Sequence, residues 1–599
     1  MTLSEAIIAC CLSVMTSQTY AIERLILTSQ NPELALEHTE IIDINDNPFR
    51  PRCSAPPASA NVVYIDPGFH EPSLFSKEPE GTTFVLKAGV HRIRDAIKPH
   101  KGMQFYGEFD EDCHPLTILR GSQALTDWRP QGDLFFAEVQ NPPALDRIIY
   151  KTPEQVCEKD AQTGAFINPR CNYPEDLFKN NQWMIHVASR DDVVPGAWYF
   201  DYENGVVYVH KDDMPTNQAM ELSLAGAAFQ WRYFDRGVYK PKPLNAWEVE
   251  NTDVGIYGLI VENFATHIQH GAIGGQWPAA GWRVENNIVR RSHSIGIRAG
   301  AETIMRYNQS YENGDLGIGA LYAMHSLIDG NVIYDNNKAY INWEFEGGGG
   351  KFLNSYGLRI TRNCVFNNKG PGLWSDVSNE QTIYQWNIVF DNLSAGLFHE
   401  ISFDAKMLNN LVGRNGAVYG GQLFLSNSQN VEVRGNIIEE HPDKEGGSVA
   451  LSWSDRGVGK RFDTRLVDER GVLLPRIEAP WETRQNKIIG NRFYNYGESY
   501  HDLFIHMDAK KNGERESIME EETLIDQNQY FSNNPSPYVW KINRHSSVTG
   551  SFPRLSFAGL QELGFETLGQ FQLSPQEEIS WGCQMMTSLT NGEDPHDSW

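Results

Sequence analysis

An asparagine motif recurs from residue 285 onward, and it leaves few folds open. Its form is Asn, any residue, an apolar or bulky residue, and often a second Asn five positions after the first. It reads Asn287-Ile288-Val289, then Asn308 with Asn313, Asn331 with Asn336, Asn363 with Asn368, Asn387 with Asn392, and Asn410 with Asn415. Weaker copies begin at Asn436, Asn491 and Asn528. Successive copies lie 21, 23, 32, 24, 23 and 26 residues apart, then 55 and 37. A period this short, filled with three- to five-residue apolar runs, has no room for the 10–12-residue helical segments of αα or βαβ repeats. A leucine-rich repeat has a similar period but needs a Leu framework that is missing here. What remains is an all-β parallel β-helix solenoid, each coil of about 20–25 residues adding one strand to each of two or three sheets. Asn at one corner of every coil tolerates left-handed backbone, and its amide can bond to its copy one coil away. The ladder is therefore read as structural.

The irregular gaps mark insertions. Glu346-Gly347-Gly348-Gly349-Gly350-Lys351 is read as a flexible excursion, and Asp455 to Arg484 as a charged surface excursion near the same groove. The first coils are placed at Thr83–His91 and Met103–Gly107, after which the period is lost from about 113 to 245. Within that break, Trp198–Tyr202 and Val206–Val209 flank Asn204-Gly205, a type I′ hairpin signal, so the break is read as an inserted all-β subdomain. The expected division is a signal peptide at 1–21, entry and first coils at 22–112, and the insertion at 113–245. The main β-helix at 246–545 carries the active site, and a cap or tail follows at 546–599.

Ala6 to Met15 forms an apolar stretch of secretory type, although no Lys or Arg precedes it. If that segment is removed, six cysteines remain. Cys157 with Cys171, and less clearly Cys53 with Cys113, have spacings that suit disulfides in a secreted or periplasmic protein. No Cys/His spacing suits structural zinc. With 51 Lys and Arg against 77 Asp and Glu, the net charge is −26. That balance argues against nucleic acid as a partner, and no internal apolar run near 18 residues suggests membrane insertion. Oligomeric state is not legible.

A solenoid aligns with itself. Thirteen residues after the first Asn of each coil stand Gly300, Leu321, Glu344, Asp376, Glu400 and Leu423. Three consecutive coils thus offer a carboxylate at one offset, with Asn342, Trp374 and Phe398 two residues earlier on the same face. Adjacent strands are about 4.7–4.9 Å apart, and like charges at that distance push a pKa upward. Stacked acids therefore suggest proton chemistry or a cation. Single-coil spacing falls near the ~5–5.5 Å carboxyl separation of retaining glycosidases rather than the ~6.5–9.5 Å of inverting ones.

Gly372-Leu373-Trp374-Ser375-Asp376-Val377, followed by Gly396-Leu397-Phe398-His399-Glu400-Ile401-Ser402, resembles the paired signature of right-handed parallel β-helix carbohydrate-active enzymes of the pectate-lyase-like group, which implies a right-handed solenoid. It is most similar to their β-xylosidase-type glycoside hydrolases. The resemblance implies a carbohydrate substrate, Asp376 as nucleophile and Glu400 as acid/base, with Glu344 or Glu346 assisting. Trp343, Trp374, His399, Lys351 and Arg298 are candidate substrate-binding residues, although His399 alternates to the face opposite Glu400. No cofactor is required; a structural Ca²⁺ is one alternative use of the acids. A polysaccharide lyase or uronate epimerase, recruiting Lys351, His399, Arg298 or His325, is a second alternative. A non-catalytic carbohydrate-binding β-helix is a third.

Overall fold

The structure is a computed structural model. It describes residues 47–57, 61–143, 151–214, 220–231, 252–275, 280–416, 420–440, 447–462, 476–495, 504–509, 522–533, 540–542, 554–573 and 579–585, with the strands Leu25–Ile26 and Ile41–Ile42. The expected signal peptide and the expected boundaries near 21, 245 and 545 lie outside these residues.

Among the described residues three long sheets of 12, 13 and 14 strands are built up coil by coil, and each central coil gives one strand to each sheet, whereas the first two coils give none to the 12-stranded sheet. Neighbouring coils pair in parallel and in register, as in Val365↔Val389 and Val389↔Val412. The inward residues of all three sheets merge into one axial core that includes Phe105, Ile256, Val289, Leu373, Leu397 and Ile438. Period-two alternation on three sheets fills that core, and the short helices Ser73–Ser76 and Phe557–Glu562 add Phe75 and Leu560 to it.

The asparagines form the ladder that their spacing suggests. The Asn363 side chain donates to Asn387 Oδ1 at 3.0 Å, and Asn387 donates to Asn410 Oδ1 at 3.0 Å. The series runs unbroken from Asn287 to Asn528. The second asparagines form a parallel ladder from Asn313 to Asn415, closed by Gln422. One expectation fails in detail: the ladder residues are not themselves left-handed. The residue before each one is, as at Arg362 (φ 51°), Trp386 (φ 56°) and Asn409 (φ 53°). The preceding residue turns the chain, which frees the Asn side chain to point inward and satisfy buried backbone.

The tetraglycine is not a loop. Gly348–Leu353 is a strand of the 12-stranded sheet, and the excursion lies just before it, at 338–347. A Cβ on Gly349 would meet Gly372 O at 2.4 Å and Val365 Cγ1 at 2.8 Å, because the second Asn ladder fills this corner of every coil. Asn204-Gly205 also departs from a two-residue turn. Asp201 pairs with Val206 across a four-residue loop in which Gly205 alone has positive φ. The Asp201 carboxylate accepts the N–H groups of Glu203 and Asn204, each at 3.1 Å.

Strands from Ser122–Leu125 to Met220–Ser223 make a five-stranded and a four-stranded sheet around their own core of Trp198, Phe200, Val207 and Leu222. The solenoid strands Thr117–Arg120 and Phe229–Gln230 bracket them. Beyond residue 546 the repeat persists for one strand, since Gln570–Leu573 pairs in parallel with Gln529–Ser532. Disulfides join Cys53 to Cys113 and Cys157 to Cys171, and a third, not anticipated, joins Cys364 to Cys583. Three disulfides fit an oxidising compartment. Among the described residues no helix is long and apolar enough to cross a membrane.

Candidate active site

The site lies on the 12-stranded sheet. Leu373–Asp376 pairs with Leu397–Glu400 through Leu373↔Leu397, Trp374↔Phe398 and Ser375↔His399. Leu373, Ser375, Leu397 and His399 point into the coil, each with 0% exposure. Alternation then turns Trp374, Asp376, Phe398 and Glu400 outward. Asp376 and Glu400 occupy consecutive rungs at the strand ends, one parallel-strand spacing (~4.8 Å) apart.

The backbone after each acid is fixed in an uncommon conformation. Val377 has φ 57° and Ile401 φ 36°, whereas the same corner in flanking coils is occupied by Asn354 (φ 50°) and Asn427 (φ 48°). β-Branched residues in the left-handed region are strained. The surrounding bonds hold them: Asn354 N–H donates to Val377 O at 2.9 Å, and Ser378 N–H to Ile401 O at 2.8 Å. Asn379 Nδ2 donates to Asp376 O at 2.9 Å, and Ser402 Oγ to Glu400 O at 2.7 Å. Neither acid can swing on a soft backbone.

Cations bracket the two carboxylates. Lys351 pairs with Trp374 one coil earlier. Its Nζ lies 3.0 Å from Asp376 Oδ2, 3.4 Å from Glu346 Oε2 and 3.6 Å from the centre of the Trp374 ring. It also donates to Phe345 O at 2.5 Å. Burial works against the Lys351 charge, but Glu346 and Asp376 outweigh it and hold the ammonium pKa above the usual lysine range. On the other flank Arg456 donates to Glu400 Oε1 at 3.1 Å. Glu400 has a raised pKa: burial and the Asp376 charge push it up, and Arg456 and Lys351 pull in the opposite direction. One oxygen of each acid is thus engaged, and Asp376 Oδ1 and Glu400 Oε2 have no hydrogen-bond or ion-pair partner among the described residues.

Arg456 precedes the antiparallel hairpin Val458–Phe462/Arg476–Pro480, the charged excursion after Asn436. Arg461 bonds Glu380 at 2.7 Å and Asp404 at 2.5 Å, which fastens the hairpin beside the acids. On the N-terminal side, Gln269 Nε2 donates to Glu346 at 3.3 Å, and Arg298 donates to Gln269 O. Burial pushes Arg298 down to about 10. Burial, then the Glu346 charge, pushes the Asp315 carboxyl up to about 8, although the Ser294 hydroxyl donates to it at 2.9 Å. Counting along the repeat reveals neither Arg456 nor Asp315, since one sits on an excursion and the other precedes its strand.

Several expected members of the site are elsewhere. Glu344 is exposed in the excursion, its N–H bonded to Asn342 Oδ1 at 3.0 Å. The residue in register with Asp376 is Leu353. Extra residues between Asn331 and its strand defeat the thirteen-residue count, so the expected stack of three acids is a stack of two, with Glu346 reaching it through Lys351. Trp374 is 3% exposed, with Lys351 on one ring face and Phe398 stacked at 5.1 Å, so it presents no open face to a sugar. His399 is fully buried, and burial pushes it down to about 3; it does not reach the groove. Trp343 is half-buried beside Glu344 in the same excursion. Arg298 lies in the outward row of Lys351, two coils earlier by way of Gly319. No group of three or more His, Cys, Asp or Glu among the described residues is arranged to hold a metal ion.

The family described as "right handed beta helix region" matches residues 274–438. No protein of curated function matches the chain in sequence. Among solved structures, the complex of XylC with xylose is similar at 16% identity, covering 76% of this chain and 79% of that one, with a TM-score of 0.52. The A-module of the Azotobacter vinelandii mannuronan C-5 epimerase AlgE6 aligns at 12% identity over 83% and 92% of the two chains, with a TM-score of 0.41. A chain titled glycoside hydrolase aligns at 10% identity over 62% and 87%, with a TM-score of 0.40. With three parallel sheets wound around one core and a match to the family over its central coils, the chain is a right-handed parallel β-helix protein.

Proposed function

We propose that this protein is a secreted or periplasmic glycoside hydrolase that cleaves a glycosidic bond of an oligo- or polysaccharide with retention of configuration. The observation that carries the reading is the pair Asp376 and Glu400 on adjacent coils, alike in charge but different in surroundings. Asp376 meets the Lys351 ammonium, and Glu400 is buried with a raised pKa. Two carboxyls whose surroundings separate their proton affinities are what an acid/base division of labour needs. Their spacing supports retention over inversion.

In the first step Asp376 attacks the anomeric carbon while Glu400 gives its proton to the departing glycosidic oxygen. The sugar–oxygen bond breaks and a glycosyl ester forms on Asp376. In the second step Glu400, now a carboxylate stabilised by Arg456, takes a proton from water as that water attacks the same carbon and releases Asp376. XylC was solved with xylose, which makes a pentose the first glycone to try. Lyase or epimerase chemistry needs a cation free to neutralise a uronate carboxylate. Lys351 is already held by Asp376, Glu346 and Phe345 O, which favours hydrolysis.

The test is activity of wild type, Asp376→Asn and Glu400→Gln on aryl glycosides and polysaccharides, reading reducing ends and unsaturated product separately. Expected is a loss of at least a thousandfold in both variants, with azide restoring turnover in one. Unsaturated product from wild type, or full activity in either variant, overturns the assignment.

A further inference from the structure

The inserted sheets stand apart from the groove in sequence, yet one of their loops reaches the coil excursion that carries Glu346. Cys157 forms an antiparallel bridge with Ile341. Around it, Asn342 N–H donates to Val156 O at 2.7 Å, and Glu158 N–H to Tyr340 O at 2.8 Å. Asn168 Nδ2 donates to Ala339 O at 3.0 Å. Val156, Cys157, Cys171, Ile268, Ala339 and Ile341 form one buried apolar cluster, and Lys151 Nζ sits 4.3 Å from the centre of the Phe345 ring. The Cys157–Cys171 disulfide closes the loop that makes these contacts.

The far end of the excursion is where the contacts matter. Phe345 O and Glu346 Oε2 are two of the groups that hold Lys351, and Lys351 faces Asp376 and helps set the proton affinity of Glu400. The solenoid ties this excursion at its two ends, by Ala339 N–H to Gly314 O at 2.9 Å and Gln269 Nε2 to Glu346 at 3.3 Å, and Lys369 Nζ lies 3.9 Å from the centre of the Tyr340 ring. Its internal bonds are short-range, such as Phe345 N–H to Asn342 O at 2.9 Å. The bridge to the insertion supplies long-range restraint at its centre. Buried backbone pairing of this kind is rigid because breaking it leaves donors and acceptors unsatisfied.

We infer that the Cys157–Cys171 loop of the inserted region is a positioning element of the acid site. It clamps residues 339–346, which hold Lys351 against Asp376. Its residues touch no substrate; they act through Phe345, Glu346 and Lys351. The effect on turnover rests on the glycosidase reading, but the clamp itself does not.

The experiment therefore has two arms on the full chain. In the first, amide hydrogen exchange over 339–347 is compared in wild type, Cys157→Ser/Cys171→Ser and, as a control for losing a disulfide elsewhere, Cys53→Ser/Cys113→Ser. Expected is exchange at least tenfold faster at 339–347 in the first variant and unchanged exchange in the control; unchanged protection in the first variant overturns the clamp. Asn168→Ala keeps the disulfide and removes one bond to the excursion. It is expected to accelerate exchange about threefold, and it decides the matter if the double variant does not fold. The second arm is the pH profile of kcat/KM. With Lys351 loosened, the basic limb set by Glu400 is expected to move to higher pH and kcat to fall at least threefold. Faster exchange with an unmoved pH profile and kcat refutes the positioning role. Faster exchange in a protein that cleaves no glycoside leaves the clamp standing and sinks the hydrolase assignment instead.

Discussion

Replacing Arg456 by Gln tests the electrostatic logic of the site most directly, because it changes one contact of Glu400 and no part of the solenoid. In the proposed mechanism Glu400 carries a proton when the glycosidic oxygen departs, so the basic limb of kcat/KM should follow its pKa. Burial and the Asp376 charge raise that pKa, and Arg456 opposes them from 3.1 Å. Coulomb attraction at about 4 Å amounts to about 1 kcal/mol in water and about 4 kcal/mol at an effective dielectric of about 20. The Glu400 side chain is 12% exposed, but that of Arg456 is 42% exposed, so solvent screening favours the lower value. About 1 kcal/mol corresponds to about 0.7 pH unit. The sign follows: without Arg456 the protonated form of Glu400 survives to higher pH, and the basic limb moves upward by that amount. The assay is kcat/KM from pH 4 to 9 on two aryl glycosides, one with a poor leaving group that needs the proton and one with a good leaving group that does not. The shift should be seen with the first and be nearly absent with the second. A limb that stays put, or moves to lower pH, refutes the placing of the proton on Glu400.

Asn387→Ala deletes a fully buried rung that accepts from the backbone and side chain of Asn363 and donates to Asn410 Oδ1 and Ile360 O. Several unsatisfied groups at about 1–3 kcal/mol for a buried one suggest a loss of about 3–5 kcal/mol, read from denaturant unfolding. A loss below about 1 kcal/mol would mean that the ladder is incidental. Asp315→Asn changes the pH dependence of stability. The folded-state carboxyl sits at about 8 against an ordinary 3.8, so its contribution is full below the unfolded value and is lost as pH rises through about 8. The variant should therefore gain in Tm relative to wild type between pH 4 and pH 9; a relative loss over that range contradicts the buried placement.

The ladder was readable because each rung is a single residue type with two uses for its amide, and a solenoid repeats that requirement at every coil. Asp376 and Glu400 were readable by counting from Asn363 and Asn387, since nothing is inserted between those rungs and their strands. The same count from Asn331 lands on Glu344, because that coil carries its extra residues ahead of the strand. Counting from the glycine that clears the second ladder works in all three coils: two residues beyond Gly349, Gly372 and Gly396 stand Lys351, Trp374 and Phe398, which the structure pairs side by side. Local steric demand therefore marks the register better than distance along the chain. Arg456 and the Cys364–Cys583 disulfide had no such marker. One arrives on a lateral hairpin and the other spans 219 residues, so neither obeys the period.

The arrangement of charge also separates the readings of the stacked acids. Two outward carboxylates on adjacent strands, whose backbones run about 4.8 Å apart, repel one another, and a chain of net charge −26 offers no general relief. A cation site would leave carboxylate oxygens from both acids converging on one point, because a hard metal collects several oxygens. Here Lys351 and Arg456 approach from opposite flanks and each engages one oxygen of one acid. That arrangement compensates the repulsion without neutralising the pair, and it leaves Asp376 Oδ1 and Glu400 Oε2 for other work. An adhesin would need neither the acids nor their counter-charges, since a groove lined with Ser and Leu would cost less to bury. The bracketed pair has a use when one carboxyl must hold a proton while its neighbour does not, and a rigid solenoid can keep that asymmetry fixed from one coil to the next.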